Sequence, residues 1–457
     1  MLSCDTFALG KNYYVGHQLL LCKNSDRPVG EAQPLVLIPG GEHPEGEQIV
    51  CTHLRIAQVR RTYSVLGSQP YWIWGFEMGA NETGLFIANE AQGSRCGQDG
   101  EEGLLGMDML RLALERSASA REAISCIGEL LSQYGQNANA NVRYDRRYEN
   151  SYMLVDQNEI WVMETAGREW VARQYADWTA ISNCYTIETD YEMCSANVES
   201  FARERHWFSP HEPMNFAKAY TLPAWRQSHS VPRWRRMRAL IEAHDAPLTL
   251  QDVQCIARDH YEGEIIAPRF GACYANFISI CMHAQDSDSS QTAASMLFTY
   301  DDSLGMTFRY APSLPCCSVY IPVYWTRGLP DILQTGGRYY DERSLWWRVE
   351  KLAMAISVDE ERFGPDARAA LHNLELEIEM QTLHTEQEAK RLICAGDRNA
   401  ANRLLDDLTE RSAQALLTLA GSLSKTICDK LRADGGLYGQ RKEFLEAYCA
   451  WAQMTLA

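Results

Sequence analysis

Tyr71-Trp72-Ile73-Trp74-Gly75-Phe76-Glu77-Met78-Gly79-Ala80-Asn81-Glu82-Thr83-Gly84-Leu85-Phe86-Ile87-Ala88-Asn89-Glu90-Ala91 is the stretch on which the fold reading turns. An aromatic strand runs into Asn81-Glu82-Thr83-Gly84, a tetrad suited to a tight turn because Asn and Gly tolerate positive φ. An apolar strand then returns and stops at the polar pair Asn89-Glu90. Polar side chains at the end of a buried strand either line a site or mark the strand's emergence into solvent, and the pattern alone leaves both open. Two strands joined by so short a turn are antiparallel.

Working outward, two helices follow. Leu104 to Arg116 has apolar residues at helical spacing. The capping box Ser119-Ala120-Arg121-Glu122 opens a second helix, and Gly135 stops it. A meander comes next: Ser151 to Val155, Ile160 to Glu164, Trp170 to Gln174 and Thr179 to Asn183, with turns at Asp156–Glu159 and Gly167-Arg168. Towards the N-terminus, Thr6 to Leu9 and His17 to Cys22 read as paired strands. Lys23-Asn24-Ser25-Asp26-Arg27-Pro28 reads as a polar break after them, and Ile49 to Gln58 and Tyr63 to Leu66 as further strands. Beyond a loop-rich region at about 185–230, helices are expected over Trp234 to Ala243 and after Thr249. Strands are expected at Phe277 to Met282, Met296 to Thr299, Met306 to Tyr310 and Val319 to Val323.

After Gly336-Gly337 the strand pattern ends. Helices are expected over Leu345 to Ile356, Pro365 to Cys394, Ala400 to Leu431 and Arg441 to Leu456, packing on the core or on another subunit. Strands and helices are segregated, which makes the fold class α+β with antiparallel sheets. The expected division is a leader over residues 1–3, a catalytic domain over 4–335 and a helical region over 336–457.

The composition narrows the function. The net charge of -17 argues against nucleic acid and anionic membranes as partners, since the only basic cluster is Arg233, Arg235, Arg236 and Arg238. The 15 cysteines are an odd number with no repeating spacing, so buried thiols in a reducing, cytoplasmic setting are expected over a disulfide scaffold. No C-x-x-C or H-E-x-x-H occurs. Adjacent Cys316 and Cys317, taken as a strand pair, would point to opposite faces and could not share a zinc ion. No metal or cofactor is expected.

Cys4 draws attention through its company. Asp5-Thr6 follow it, then an apolar strand, and the polar run from Lys23 comes at the end of the next strand, close to Cys4 if the two strands pair. A thiol on an N-terminal residue has its own α-amine, with a pKa of about 7.7–8.0, as a base. Nucleophile and base then lie in one residue, and no catalytic histidine is needed. An incidental cysteine on a first strand is the plain alternative.

Cys4-Asp5-Thr6, Lys23 to Arg27, Trp74 to Ala91, Glu164-Thr165-Ala166-Gly167, Ile181-Ser182-Asn183, Tyr261-Glu262-Gly263 and Ser318 to Pro322 together resemble the secernin and C69 dipeptidase family. The resemblance runs from Cys4 to about Trp325. It implies an N-terminal-nucleophile hydrolase with a four-layer α-β-β-α sandwich, freed by self-cleavage at the Ser3–Cys4 bond. It implies Cys4 as nucleophile, Asp26 as an acid holding an amine, and Asn183 as the side chain orienting the α-amine and acyl group. Lys23 falls where related acylases carry an arginine, Asn89 or Glu90 near their oxyanion asparagine, and Arg233 near a site arginine. Trp74, with Trp72 and Trp207, would line an apolar acyl pocket or simply pack in the core.

Three readings remain open on this basis. One is a dipeptidase, with Asp26 meeting the substrate amine and Lys23 or Arg233 its carboxylate. Another is an acylase for N-acyl amides of the penicillin V acylase or bile-salt hydrolase type. The third is a non-catalytic, secernin-like protein that binds partners. Homo-oligomerisation through the C-terminal helices is compatible with all three.

Overall fold

A computed structural model describes residues 4–97, 102–209, 211–224, 230–265, 267, 279–326 and 328–457. The expected leader and the first two residues of the strand expected at Phe277 lie outside them. The chain forms two compact units: residues 4–23 and 37–252 make one, residues 24–36 and 253–457 the other.

In the first unit the Asn81 turn is as read. The Asn81 Oδ1 atom accepts from the Thr83 amide (3.1 Å), the Thr83 hydroxyl (2.7 Å) and the Leu85 amide (3.2 Å), and Gly84 takes φ 89°. The strands Met78–Asn81 and Phe86–Gln92 therefore pair antiparallel, with Phe86 opposite Ala80. The aromatic stretch before Met78 is not a strand. Gln69 Nε2 donates to the carbonyls of Ile73 (2.9 Å) and Trp74 (2.8 Å) and folds the segment into a loop. Gly75 is needed there, because a Cβ would lie 2.2 Å from the Met107 carbonyl oxygen.

This hairpin sits inside a large antiparallel sheet. Seven of its strands neighbour one another in the order Met193–Cys194, Glu169–Tyr175, Ile160–Ala166, Glu149–Val155, Phe86–Gln92, Met78–Asn81 and Val65–Ser68. Helices Gly106–Arg116 and Ala120–Tyr134 cover its outer face. The Ser119 hydroxyl caps the latter by accepting from the Glu122 amide at 3.3 Å. Against the inner face lies Cys4–Leu9, paired antiparallel with Trp178–Ser182, and helix Ser230–Glu242 packs on the far side of that pair. Within this unit the layers run helix, sheet, sheet, helix. Strands Phe86–Gln92 and Glu149–Val155 are buried along their whole length, as strands in the middle of such a stack must be.

The polar run at Lys23 is not a break. Strand Leu20–Pro28 continues through it, with all nine residues buried. It can do so because its polar side chains find partners. In the second unit Asn24 Nδ2 donates to the carbonyls of Ala257 (2.7 Å) and Ile280 (2.9 Å), and the Ser25 hydroxyl donates to Gln33 Oε1 at 3.0 Å.

The second unit holds the antiparallel meander Ser290–Asp301, Gly305–Pro312 and Ile321–Tyr324. The described part of the strand expected at Phe277–Met282, from Ser279 on, is irregular chain. Helices Leu345–Ile356, Glu360–Cys394, Arg398–Ala433 and Lys442–Ala452 follow. The second starts a turn before Pro365, where the Asp359 carboxylate accepts from the Arg362 amide at 3.3 Å. Helix Arg398–Ala433 packs on Ile321–Tyr324 and on Leu345–Ile356. The helical region therefore shares a unit with the meander. Among the described residues no helix is long and apolar enough to cross a membrane.

Candidate active site

Cys4 opens the strand Cys4–Leu9 and is buried. The antiparallel register sets Asp5 opposite Ser182, so the residue after that partner strand, Asn183, lies beside Cys4. The Cys4 backbone N–H donates to Asn183 Oδ1 at 2.8 Å. The Ser182 hydroxyl donates to the Cys4 carbonyl at 3.3 Å. Asn183 Nδ2 in turn donates to the Ala91 carbonyl at 2.9 Å, which fixes the amide's orientation.

Arg233 reaches into this corner from helix Ser230–Glu242. Its Nε donates to Asp5 Oδ2 at 2.8 Å, and its Nη2 to Ser182 Oγ at 3.0 Å and Asn183 Oδ1 at 2.8 Å. Asn183 Oδ1 thus accepts two donors, one for each lone pair. The guanidinium is buried and its fork is used to hold Asp5, Ser182 and Asn183 in register. Burial pushes the Asp5 carboxyl up to about 6, against the opposing pull of Arg233.

Lys23 lies in strand Leu20–Pro28 and is fully buried. Its ammonium donates to the Glu77 carbonyl at 2.8 Å, to Glu77 Oε2 at 3.2 Å, to Asn89 Oδ1 at 3.2 Å and to the Asn89 carbonyl. Burial pulls its pKa down. The charges of Cys4, Glu77 and Glu90 outweigh that and hold its pKa above the usual lysine value. A buried positive charge is thus maintained where it favours a Cys4 thiolate.

Asn89 and Glu90 have separate tasks. Asn89 holds Lys23 and donates from Nδ2 to Asn150 Oδ1 at 3.2 Å. Glu90 accepts from the Thr6 hydroxyl. Trp74 is half-buried and packs on the Arg111 guanidinium, 3.8 Å from its ring centroid. Trp207 packs edge-on against Phe201 and Tyr220. Asp26 belongs to the second unit, where its Oδ1 accepts from the Thr292 hydroxyl at 2.6 Å.

Several supporting residues escape the sequence reading. Asp5, Thr6, Glu77 and Ser182 were visible only as flanks of the residues singled out. Glu164 was quoted as part of the family resemblance but given no role. Its carboxylate accepts from the amides of Thr186 (2.6 Å) and Ile187 (3.1 Å) and from the Thr186 hydroxyl (2.9 Å), which ties down the loop just after Asn183. Burial raises its pKa to about 7. A glutamate inside the mostly apolar Ile160–Ala166 strand was the signal available for it.

The model of peptidase family C69 matches residues 54–369. That span begins after Cys4 and Lys23 and includes Asn89, Asn183 and Arg233. A probable dipeptidase of Latilactobacillus sakei is 26% identical over 187 residues, covering 35% of this chain and 37% of that protein. Probable dipeptidase A of Streptococcus pyogenes serotype M3 (strain SSI-1) is 21% identical over 309 residues, covering 58% of this chain and 64% of that protein. The chain thus spans less than two thirds of the length of either curated relative. Among solved structures, a variant of conjugated bile acid hydrolase from Clostridium perfringens is similar over 68% of this chain and 89% of its own, at 14% identity and a TM-score of 0.37. A Caenorhabditis elegans N-acylethanolamine-hydrolyzing acid amidase ortholog is similar over 64% of this chain and 92% of its own, at 9% identity and a TM-score of 0.31. With its family model spanning more than half of its length, the chain belongs to peptidase family C69.

Proposed function

We propose that this protein is a peptide-bond hydrolase, a dipeptidase, with the thiol of Cys4 as nucleophile and the Cys4 α-amine as base. The observation that carries the reading is the 2.8 Å hydrogen bond from the Cys4 nitrogen to Asn183 Oδ1, in a corner braced by Arg233 and charged by Lys23.

Cleavage of the Ser3–Cys4 bond converts the Cys4 amide into an amine whose pKa is about 7.7–8.0 in an unperturbed peptide. The thiol proton passes to that amine, and the thiolate attacks the substrate carbonyl carbon. The buried Lys23 ammonium supports the negative charge during this step. The protonated amine then gives its proton to the leaving nitrogen, the C–N bond breaks and a thioester remains. Water, deprotonated by the same amine, hydrolyses the thioester and restores the thiol. Asn183 keeps the amine beside the thiol, and Arg233 keeps Asn183 in place, so Arg233 is a positioning residue in this scheme. The family resemblance supports Asp26 as the group that meets the substrate's amino end.

The test is turnover of a dipeptide pool by the wild type and by Cys4→Ala, beside an N-acyl amino acid. The reading expects amino-acid release by the wild type, loss of it in Cys4→Ala, and slower turnover of the N-acyl amide. Equal release by both proteins would sink it.

The reading includes self-association through the C-terminal helices in the reducing setting of the cytoplasm. Its support is a stripe on helix Glu360–Cys394, where Leu376, Met380 and Leu383 stay 48%, 68% and 62% exposed. They recur at i, i+4 and i+7, so they share one helix face.

A further inference from the structure

We propose that His260, Cys281, His283 and Cys316 form a structural Zn²⁺ site in the second unit. Their ligand atoms all lie within 4.8 Å of one another. His283 Nε2 is 3.1 Å from His260 Nε2, 3.7 Å from Cys281 Sγ and 3.3 Å from Cys316 Sγ. Zinc bound tetrahedrally at Zn–N of about 2.0–2.1 Å and Zn–S of about 2.3 Å has ligand–ligand edges of roughly 3.3–3.8 Å. The three distances from His283 Nε2 already have nearly that spacing.

The backbone explains the convergence. His260 comes three residues after helix Leu250–Ala257. Cys281 and His283 are two apart on irregular chain, and the Cys281 amide donates to the Asp259 carbonyl at 3.1 Å, which joins their segment to that of His260. Met282 between them is held to Thr292 by reciprocal bonds, its amide to the Thr292 hydroxyl and its carbonyl from the Thr292 amide, each 2.9 Å. Cys316 comes from the 3-10 turn Pro315–Cys317, and Arg258 Nε donates to the Pro315 carbonyl at 2.8 Å. The sequence reading of Cys316 and Cys317 as a strand pair is therefore corrected: they lie in a turn, and only Cys316 faces this cluster. Local spacing gave no hint of it, because the donors come from three separate segments.

A second observation points to a metal. His260 Nδ1 lies 2.9 Å from Glu262 Oε1, while Glu262 Oε2 accepts the His260 backbone amide at 2.7 Å. A carboxylate on one ring nitrogen fixes the tautomer that turns the other nitrogen, Nε2, toward an ion. Two thiolates and two neutral imidazoles on Zn²⁺ are neutral overall, which suits a largely buried place. The donors are soft and borderline, so they select zinc over magnesium or calcium. Four protein ligands close the coordination shell, which makes the site structural. Binding forms two Zn–N and two Zn–S bonds and releases the thiol protons to solvent. A disulfide does not explain the set: Cys281 and Cys316 are free thiols, and neither imidazole would have a role in a bond between them.

The experiment is metal analysis of the full-length protein, purified without chelator and kept reduced, followed by Co²⁺ titration of the stripped protein. The expected result is about one zinc per chain, in the wild type and equally in Cys4→Ala and Cys317→Ser, falling at least about tenfold in Cys281→Ser and Cys316→Ser. Co²⁺ should give the ligand-field bands of a tetrahedral site and a thiolate charge-transfer band. Wild-type protein that is folded by circular dichroism yet carries no zinc and takes up no Co²⁺ overturns the proposal. So does zinc uptake unchanged in folded Cys281→Ser and Cys316→Ser. If those variants do not fold, the wild-type cobalt spectrum decides. Cys4→Ala separates this site from the hydrolase reading, since its zinc content does not depend on turnover.

Discussion

Asn183 Oδ1 is shared between the Cys4 nitrogen and Arg233, and that single atom sets how the nitrogen and thiol of Cys4 are held. Asn183→Ala removes the acceptor while leaving strand Trp178–Ser182 intact. Misplacing a reacting group by about 1 Å costs on the order of 100-fold, so kcat should fall by about that much with KM little changed. A fall in KM-dependent terms alone would contradict this role. Asp5 adds a pH signature. Its carboxyl titrates at about 6, so the Asp5–Arg233 ion pair is intact above that pH and is lost as pH drops through it. The α-amine must also be neutral, so kcat/KM should fall with one proton at higher pH and with two below about pH 6. Asp5→Asn should leave only the single-proton limb, and an unchanged two-proton profile in that variant would contradict the assignment. At this scale the proposed nucleophile Cys4 and the Asn183 amide beside it were both named from the sequence, and the structure places them in contact. Arg233 was also named from the sequence, but its hold on Asp5 and Ser182 was not, because strand register and the packing of helix Ser230–Glu242 bring these distant parts of the chain together.

The element that most shapes the lysine cradle is the junction between helix Gly106–Arg116 and strand Glu149–Val155. A Cβ on Gly106 would fall 1.9 Å from Asn150 Oδ1, the atom that accepts from Asn89. Asn150 cannot simply swing away, because its Nδ2 is held by Gln136 Oε1 at 3.1 Å. Gly106→Ala should therefore destabilise the protein by about 1–3 kcal/mol, read by chemical denaturation, and lower kcat by loosening Asn89 against Lys23. Unchanged stability would show that the junction has room. The Asn81–Gly84 turn and the Leu345–Ile356 helix were legible because their signals are local: an Asx turn with a positive-φ glycine, and an apolar helical period. Strand Leu20–Pro28 was cut short in the reading because Lys23 to Arg27 is polar, and only tertiary partners make such a run tolerable in a buried strand. The aromatic loop before Met78 was read as strand for the converse reason, since its side chains favour strands while Gln69 bends its backbone.

On the scale of the whole molecule, α+β segregation was visible from the order of elements, whereas the two compact units were not. The cut at residue 252 follows packing of the C-terminal helices on a late strand, which leaves no mark in composition. The stripe of Leu376, Met380 and Leu383 gives a prediction at this scale. Sedimentation should find the wild type self-associated and the double variant Met380→Glu, Leu383→Glu monomeric, with helix content unchanged; a monomeric wild type would remove the stripe's role. The most direct test of the central claim is the intact mass of the full chain with fragmentation of its N-terminus, on wild type and Cys4→Ala. The account predicts that the wild type has lost Met1-Leu2-Ser3 and begins at Cys4 with a free amine, and that Cys4→Ala keeps the leader. Wild-type protein that hydrolyses dipeptides with Met1 to Ser3 still attached would contradict it.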